Sequence, residues 1–217
     1  MTLDLFADAD TVPLEDEVLE PGAVVLRGFA RCRDSALAQA IAAVAAQAPF
    51  RHLVTPGGFR MSVAMTNCGR LGWVSDRRGY RYDPADPESG RLWPEMPEAF
   101  TTLARAAADR AGFPGFAPDA CLMNRYTPGA RLSLHQDRDE RDLRAPIVSV
   151  SLGLPAVFLW GGERRADPAR RIPLQHGDIV VWGGPARLHH HGVLALKDGE
   201  HPFAGAARIN LTFRKVE

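Results

Sequence analysis

The sequence predicts a mainly β protein of the α+β class, with an antiparallel β-sandwich or jelly roll in its second half. From Ala120 onward, short apolar or alternating runs recur between turn residues, which is typical of antiparallel strands. Two helical patterns precede them, at 34–47 and 98–112, each with apolar residues along one face. We therefore expect the helices to pack on one outer face of a sheet.

The remaining elements follow from local patterns. The apolar run 23–26 predicts a strand, and glycines within 59–82 separate several short strands. Four prolines within 83–97 predict an irregular loop. The strands predicted after it lie at 121–126, 131–137, 147–153, 156–161, 178–182, 190–195 and 207–214.

No repeat, low-complexity tract or clear domain boundary divides the chain. The acidic, weakly patterned residues 1–20 predict an N-terminal arm, and 21–217 predict one domain. With 26 basic and 26 acidic residues the formal net charge is zero, so any contact with nucleic acid must be a local patch. The mixed, neutral composition also leads us to expect a monomer.

Composition excludes several classes of protein. Hydrophobic residues make up 46% of the 217 residues and charged residues 24%, as in ordinary globular domains. No apolar stretch approaches the roughly 20 residues that span a bilayer, and the acidic start does not resemble a signal peptide. We therefore expect a cytoplasmic protein without a membrane partner. Cys32, Cys68 and Cys121 form no CxxC pair, which argues against a disulfide framework or a four-thiolate zinc site.

The segment around His135 and Asp137 predicts a metal site. Residues i and i+2 of a strand point the same way, so this imidazole and this carboxylate can meet at one point. A third ligand must come from the run of histidines at 189–191, and Gly192 favours His191 because a glycine allows close approach to the backbone. Such a set is typical of non-haem iron(II) oxygenases, although zinc hydrolases use similar ligands.

The strand predicted at 207–214 has one polar and one apolar face. Its apolar residues belong to the core, whereas its polar residues are costly to bury unless an anion binds there. Two guanidinium groups on one face can hold the two ends of a small dicarboxylate, and an exposed edge strand with ordinary salt bridges is the alternative. The polar residues are Arg208, Asn210, Thr212 and Arg214, and Asn124 and Tyr126 share a face of another predicted strand.

Eight short stretches are together far more specific than any single motif. They lie at 55–58, 61–69, 71–73, 124–126, 132–137, 145–155, 176–178 and 208–214. In these stretches, and over nearly its whole length, the sequence resembles the AlkB family of iron(II)/2-oxoglutarate dioxygenases. The resemblance implies a double-stranded β-helix (jelly roll) with flanking helices. It also implies an N-terminal nucleotide-recognition lid, which we expect at 55–82 of a single catalytic domain.

The resemblance also implies the cofactors and their ligands. Iron(II) is expected on His135, Asp137 and His191. 2-Oxoglutarate is expected as the cosubstrate, with O2 as the oxidant, and which arginine takes which carboxylate stays open. The residues expected to hold 2-oxoglutarate are Asn124, Tyr126, Arg208, Asn210 and Arg214.

The implied activity is the oxidative removal of alkyl groups from damaged bases, such as 1-methyladenine and 3-methylcytosine. The products are formaldehyde, succinate, CO2 and the restored base. Single- or double-stranded DNA is the expected substrate, and RNA is a further candidate. The alternative is a hydroxylase of the same cofactor class that acts on a small molecule or a protein side chain.

Both of these lesions are cationic near neutral pH, so they favour aromatic faces and a nearby carboxylate. Trp73 and Tyr80 are expected to supply aromatic faces, and Tyr82 shares the face of Tyr80 if that segment is extended. Asp139 lies two residues after Asp137 and is expected beside the positive ring. The resemblance adds Arg165 as a substrate contact.

Overall fold

The computed structural model describes residues 15–217, which form fourteen strands and two helices besides two short 3-10 turns. The strands are β1 Glu17–Glu20, β2 Ala23–Leu26, β3 Arg51–Val54, β4 Arg60–Gly69, β5 Gly72–Asp76, β6 Gly79–Asp83, β7 Ala120–Tyr126, β8 Leu132–His135, β9 Ile147–Gly153, β10 Ala156–Trp160, β11 Arg170–Leu174, β12 Ile179–Trp182, β13 His191–Val193 and β14 Arg208–Arg214. The helices are α1 Asp34–Gln47 and α2 Glu98–Arg110.

The strands form a large sheet, a small sheet and a hairpin. The large sheet has eight strands in the order β1-β2-β12-β9-β14-β7-β4-β3, and the small sheet has four in the order β11-β10-β13-β8. Strands β5 and β6 pair only with each other among the described residues. The paired strands are antiparallel, so the mainly β class predicted from the sequence is confirmed.

Alternation along β14 divides the large sheet into two faces. Ile209, Leu211 and Phe213 pack into a buried cluster that contains Leu37 of α1 and Phe100 of α2. Both helices therefore cover this face of the sheet, as the sequence predicts. The polar side chains of β14 point to the opposite face, toward the small sheet.

A second core lies between the two sheets. Trp182 of β12 lies against Phe158 and Trp160 of β10, with ring centroids 6.2 and 6.0 Å apart. Aliphatic side chains such as Ile147, Val180 and Val193 complete this core. It leaves a polar region between the sheets at β7, β9 and β14, where the functional side chains lie.

The β5–β6 hairpin is held to the large sheet by a few specific contacts. The side chain of Asn67 both accepts from the Trp73 N–H and donates to the Trp73 carbonyl, at 3.0 Å each. Trp93 packs beneath the start of the hairpin, where a Cβ on Gly72 would lie 2.4 Å from its Nε1. Glycine is therefore required at residue 72, and the hairpin stays next to the polar region.

Most predicted elements are confirmed, and the differences are local. Glu17–Glu20 pairs with β2 as an edge strand, although the sequence predicts a weakly patterned arm there; residues 1–14 lie outside the described part. The sequence does not predict β3, which has only two successive apolar residues, or β11, where Pro173 interrupts a short alternation of Ile172 and Leu174. The strand predicted at 131–137 ends at His135. Among the described residues, no helix is long and apolar enough to cross a membrane.

Replacing Phe213 with alanine should destabilise the protein by about 3–5 kcal/mol, because its side chain is fully buried and packs edge-on against Phe100. Urea unfolding of the purified variant measures this loss. Phe59→Ala is the control, since Phe59 is 76% exposed and its loss should cost less than about 0.5 kcal/mol. Equal losses in the two variants would contradict the assignment of Phe213 to the core.

Candidate metal and dicarboxylate site

Two histidines and one carboxylate meet between the sheets. His135 ends β8 and His191 begins β13, and the two residues are directly paired across these strands. The nearest oxygens of Asp137 lie 3.7 Å from Nε2 of His135 and 3.8 Å from Nε2 of His191. One ligand atom from each of the three residues lies within 4.8 Å of the other two. The structure thus brings together the three metal ligands that the sequence predicts.

The backbone orients both imidazole rings toward this point. Nδ1 of His135 lies 2.9 Å from the carbonyl of Ser133, and Nδ1 of His191 lies 3.1 Å from the carbonyl of His189. A carbonyl oxygen only accepts, so each ring carries its proton on Nδ1. The lone pair on each Nε2 therefore points into the site, as metal coordination requires.

The electrostatics of the site keep the ligands in their binding forms. Burial alone would raise the pKa of Asp137, but the guanidinium of Arg214 donates to its Oδ2 from Nε at 2.9 Å and from Nη2 at 2.6 Å, and the net pKa is well below the usual range. Burial and the neighbouring His135 lower the pKa of His191 to about 3. At neutral pH the site therefore presents an ionised carboxylate and a neutral imidazole.

The two neighbouring histidines, His189 and His190, contact groups outside the metal site. His189 lies 3.0 Å from the carboxylate of Glu20 and packs against Trp160 with the two rings tilted. His190 is buried, with Nδ1 3.2 Å from the carbonyl of Gly162. His191 is therefore the member of this run that joins His135 and Asp137.

Gly192 allows the two ligand strands to approach closely. A Cβ at this position would lie 2.7 Å from the carbonyl oxygen of Leu132 and 3.1 Å from the backbone nitrogen of Leu134. Both are backbone atoms of β8 that cannot rotate away. The spacing between His135 and His191 therefore depends on the absence of a side chain at residue 192.

A buried arginine lies beside the metal ligands. Arg208 is 1% exposed, donates to the hydroxyl of Ser151 from Nε at 3.0 Å and from Nη2 at 2.7 Å, and lies over the ring of Tyr126. Its Nη1 has no hydrogen-bond partner among the described residues, and burial lowers the pKa of the guanidinium. A buried cation that faces no carboxylate favours an anionic ligand.

Polar side chains connect this arginine to the metal side. Asn124 donates to the Oδ1 of Asn210 at 3.2 Å, and its own buried Oδ1 has no partner among the described residues. Asn210 donates to the hydroxyl of Ser149 at 2.8 Å. Sequence reasoning missed Ser149 and Ser151, although their alternation with apolar residues in β9 is a recognisable signal.

The predicted dicarboxylate residues line one enclosed space together with two metal ligands. The space measures about 30 Å³, and its lining includes Asn124, Tyr126, His135, Ser149, His191, Arg208, Asn210, Thr212 and Arg214. Its donors are arginine and amide groups, which suit the carboxylates and keto oxygen of 2-oxoglutarate. The residues present therefore fit both a metal ion and a small keto diacid.

A wider cavity of about 690 Å³ opens above the metal ligands. Trp73 and Tyr80 line it with their rings nearly parallel and their centroids 5.5 Å apart. Asp139 accepts from Nε1 of Trp73 at 3.1 Å, and Arg165 also lines the cavity. Four of the five predicted substrate residues therefore lie around one opening that includes His135.

Tyr82 does not line this cavity. Its hydroxyl donates to Oε1 of Glu140 at 2.6 Å, and burial raises the pKa of the phenol well above its ordinary value. Glu140 is a buried residue that sequence reasoning missed. A glutamate in a charged stretch is usually exposed, so the sequence around residue 140 does not predict that Glu140 is buried.

Ligand type and fold together define the class of protein. Two imidazoles and one carboxylate on one face leave coordination positions free for a chelating cosubstrate and O2, which is the arrangement of non-haem iron oxygenases. The chain belongs to the 2OG-Fe(II) oxygenase superfamily, whose family model matches residues 22–214, and it is therefore an Fe(II)- and 2-oxoglutarate-dependent dioxygenase. This finding confirms the class predicted from the sequence motifs.

Individual relatives agree with the family. The chain is 59% identical to the alpha-ketoglutarate-dependent dioxygenase AlkB of Escherichia coli over 214 residues, which cover 99% of this chain and 98% of the relative. It is 34% identical over 134 residues, 60% of this chain, to the nucleic acid dioxygenase ALKBH1 of Mus musculus. The solved structure of OsALKBH1 superposes with a TM-score of 0.81 at 29% identity, covering 93% of this chain and all of that one.

Replacing Gly192 with alanine should weaken iron binding and destabilise the protein by about 1–3 kcal/mol, because the new Cβ forces β13 away from β8. Urea unfolding and an iron titration of the metal-free protein measure the two effects. Gly57→Ala is the control, since its Cβ would make an ordinary 3.4 Å contact with Phe59. An alanine variant at 192 with unchanged iron affinity would show that the strand spacing does not control the ligands.

Proposed function

We propose that this enzyme repairs alkylated nucleobases by oxidative dealkylation, with 1-methyladenine and 3-methylcytosine in DNA as its substrates and RNA as a further one. The observation that carries the proposal is the cavity above His135, which combines the stacked rings of Trp73 and Tyr80 with the carboxylate of Asp139. An aromatic face and a carboxylate both favour a cationic base over a neutral one. The similarity to a nucleic acid dioxygenase supports the same substrate class.

In this proposal His135, Asp137 and His191 hold iron(II), and 2-oxoglutarate binds in the space beside them. The buried, partnerless Nη1 of Arg208 supports its contact with one carboxylate. The other residues that hold 2-oxoglutarate are Asn124, Tyr126, Asn210 and Arg214. Because the space of about 30 Å³ is smaller than a five-carbon diacid, entry of the ligand requires a lining side chain to move, and Leu132, which borders both cavities, is placed to do so.

When bound, the iron supplies O2 activation: one oxygen atom enters a C–H bond of the alkyl group, and the other enters succinate as CO2 leaves. A hydroxymethyl group on a ring nitrogen then releases formaldehyde and restores the base. The protein side chains position the alkyl carbon. Trp73 and Tyr80 contact the base, Asp139 faces its positive charge, and Arg165 binds the phosphate backbone.

The base must leave the helix to reach the cavity. A lesion on the Watson–Crick edge already weakens pairing, which lowers the cost of extrusion from a duplex. Single strands should therefore be repaired at least as well as duplexes. The enzyme works as a monomer, in the compartment that holds the DNA, which is the cytoplasm of a bacterium.

The architecture behind this function is a double-stranded β-helix formed by the two facing sheets, within a single catalytic domain that includes 21–217 and the edge strand Glu17–Glu20. We assign the nucleotide-recognition lid to 55–82, within which β4 belongs to the large sheet and the turn at 55–59 and the β5–β6 hairpin are the parts free to cover the site. The support for the lid is that Thr55, Trp73 and Tyr80 all line the wide cavity, while the hairpin carrying two of them lies outside both sheets.

The direct experiment supplies the enzyme with iron(II), ascorbate, 2-oxoglutarate and an oligonucleotide that carries one 1-methyladenine, and follows the oligonucleotide by mass spectrometry. The expected result is loss of the mass of one methylene group only when all components are present.

Asp137→Ala and His191→Ala should each abolish this loss. Full activity of His191→Ala would reassign the ligand to His189 or His190. Succinate formation without repair would favour the alternative substrate, a small molecule or a protein side chain.

Replacing Asp139 with asparagine removes its charge but keeps an acceptor for Nε1 of Trp73. We expect kcat/KM for the cationic 1-methyladenine to fall about tenfold, equivalent to roughly 1.4 kcal/mol, because the attraction to the ring is lost. Repair of neutral 1-methylguanine in the same sequence context is the matched comparison and should change less. Equal losses on the two lesions would remove the electrostatic role of Asp139.

A further inference from the structure

Glu140 is a buried carboxylate outside the metal ligands, with only 2% of its side chain exposed. Its Oε2 accepts from Nη2 of Arg187 at 3.0 Å, and its Oε1 accepts from the hydroxyl of Tyr82 at 2.6 Å. Nε of Arg214 lies 3.4 Å from the same Oε1. One carboxylate therefore contacts three separate parts of the chain: the hairpin, the segment before His191 and strand β14.

The segment that carries Asp137 depends on these contacts. Strand β8 ends at His135, so Asp137 makes no ladder hydrogen bonds with the strands of residues 15–217. Instead Nη1 of Arg187 donates to the Asp137 carbonyl at 2.6 Å, and Arg214 donates to its carboxylate. Both of these arginines are paired with Glu140.

The hairpin reaches the same segment through two side-chain hydrogen bonds. Nε1 of Trp73 donates to Asp139, and the hydroxyl of Tyr82 donates to Glu140. The first lies at the wide cavity, whereas the second is buried. A displacement of the hairpin therefore acts directly on the carboxylate that orients Arg187 and Arg214.

We propose that Glu140 is a positioning residue that couples the β5–β6 hairpin to Asp137 and Arg214. Glu140 pairs with Arg187, which holds the backbone carbonyl of Asp137. Glu140 also pairs with Arg214, which holds the Asp137 carboxylate and is one of the residues proposed to bind 2-oxoglutarate. Through Tyr82 it makes their position depend on where the hairpin lies. The role of the hairpin in binding the base rests on the proposed function, but the coupling itself does not.

Hydrogen exchange read by mass spectrometry tests the coupling without any substrate. In Tyr82→Phe, which removes one hydroxyl, amides of 72–83 should exchange several-fold faster, and those of 136–146 should exchange faster by a smaller factor because Glu140 loses one of its three partners. In Glu140→Gln, both segments should exchange faster. Glu88→Gln is the control for the chemical change, because Glu88 is 75% exposed and should leave both segments unchanged. Unaltered exchange at 136–146 in Glu140→Gln would overturn the proposal.

Binding of 2-oxoglutarate separates positioning from a merely structural role. With manganese(II) in place of iron and no nucleic acid present, Glu140→Gln should bind 2-oxoglutarate about tenfold more weakly. Tyr82→Phe should bind it more weakly by a smaller factor, because Arg187 and Arg214 still hold Glu140, and should show a raised KM for the oligonucleotide. A Glu140→Gln protein with a lower melting temperature and unchanged 2-oxoglutarate affinity would refute positioning. Neither measurement uses a nucleic acid, so both would still test the positioning role of Glu140 if the enzyme repaired no base.

Discussion

The buried pair between Arg214 and Asp137 is the interaction on which the site depends. A carboxylate removed from water is unstable unless a cation is fixed next to it, and a guanidinium with two donors toward one oxygen fixes both position and charge. The Asp137 carboxylate therefore stays ionised, and it faces the same point as the lone pairs of His135 and His191. Without this pair, the segment after β8 would carry an uncompensated charge at a largely buried position.

Strand β14 connects this electrostatic constraint to the packing of the fold. One of its faces supplies apolar side chains to the core beneath the helices, and the other supplies Arg208, Asn210 and Arg214 to the polar region. A slip of one residue in its register would exchange the two faces and put guanidinium groups under the helices. The same packing that stabilises the sheet therefore fixes the positions of the charged groups.

Much of this arrangement could be predicted, because period-two alternation and the His135–Asp137 spacing are local signals. Most strands follow from the alternation, and the meeting of His135 with Asp137 follows from their spacing. The two helices follow from a different local signal, apolar residues along one face at helical spacing, and Gly192 indicates His191 as the third ligand. What could not be predicted depends on distant parts of the chain. The burial of Glu140 is set by Arg187 and Arg214, and the direction of Tyr82 is set by Glu140. No pattern within a single segment encodes such contacts.

The position of β14 in the large sheet has a consequence for biosynthesis. It lies between β9 and β7, yet every other strand of that sheet precedes it in the chain. While a ribosome is still extending the polypeptide, the sheet has a gap at its centre, with the edges of two apolar strands exposed. The centre of the sheet can therefore close only after residue 214 has been translated, and until then two strand edges lack their partner.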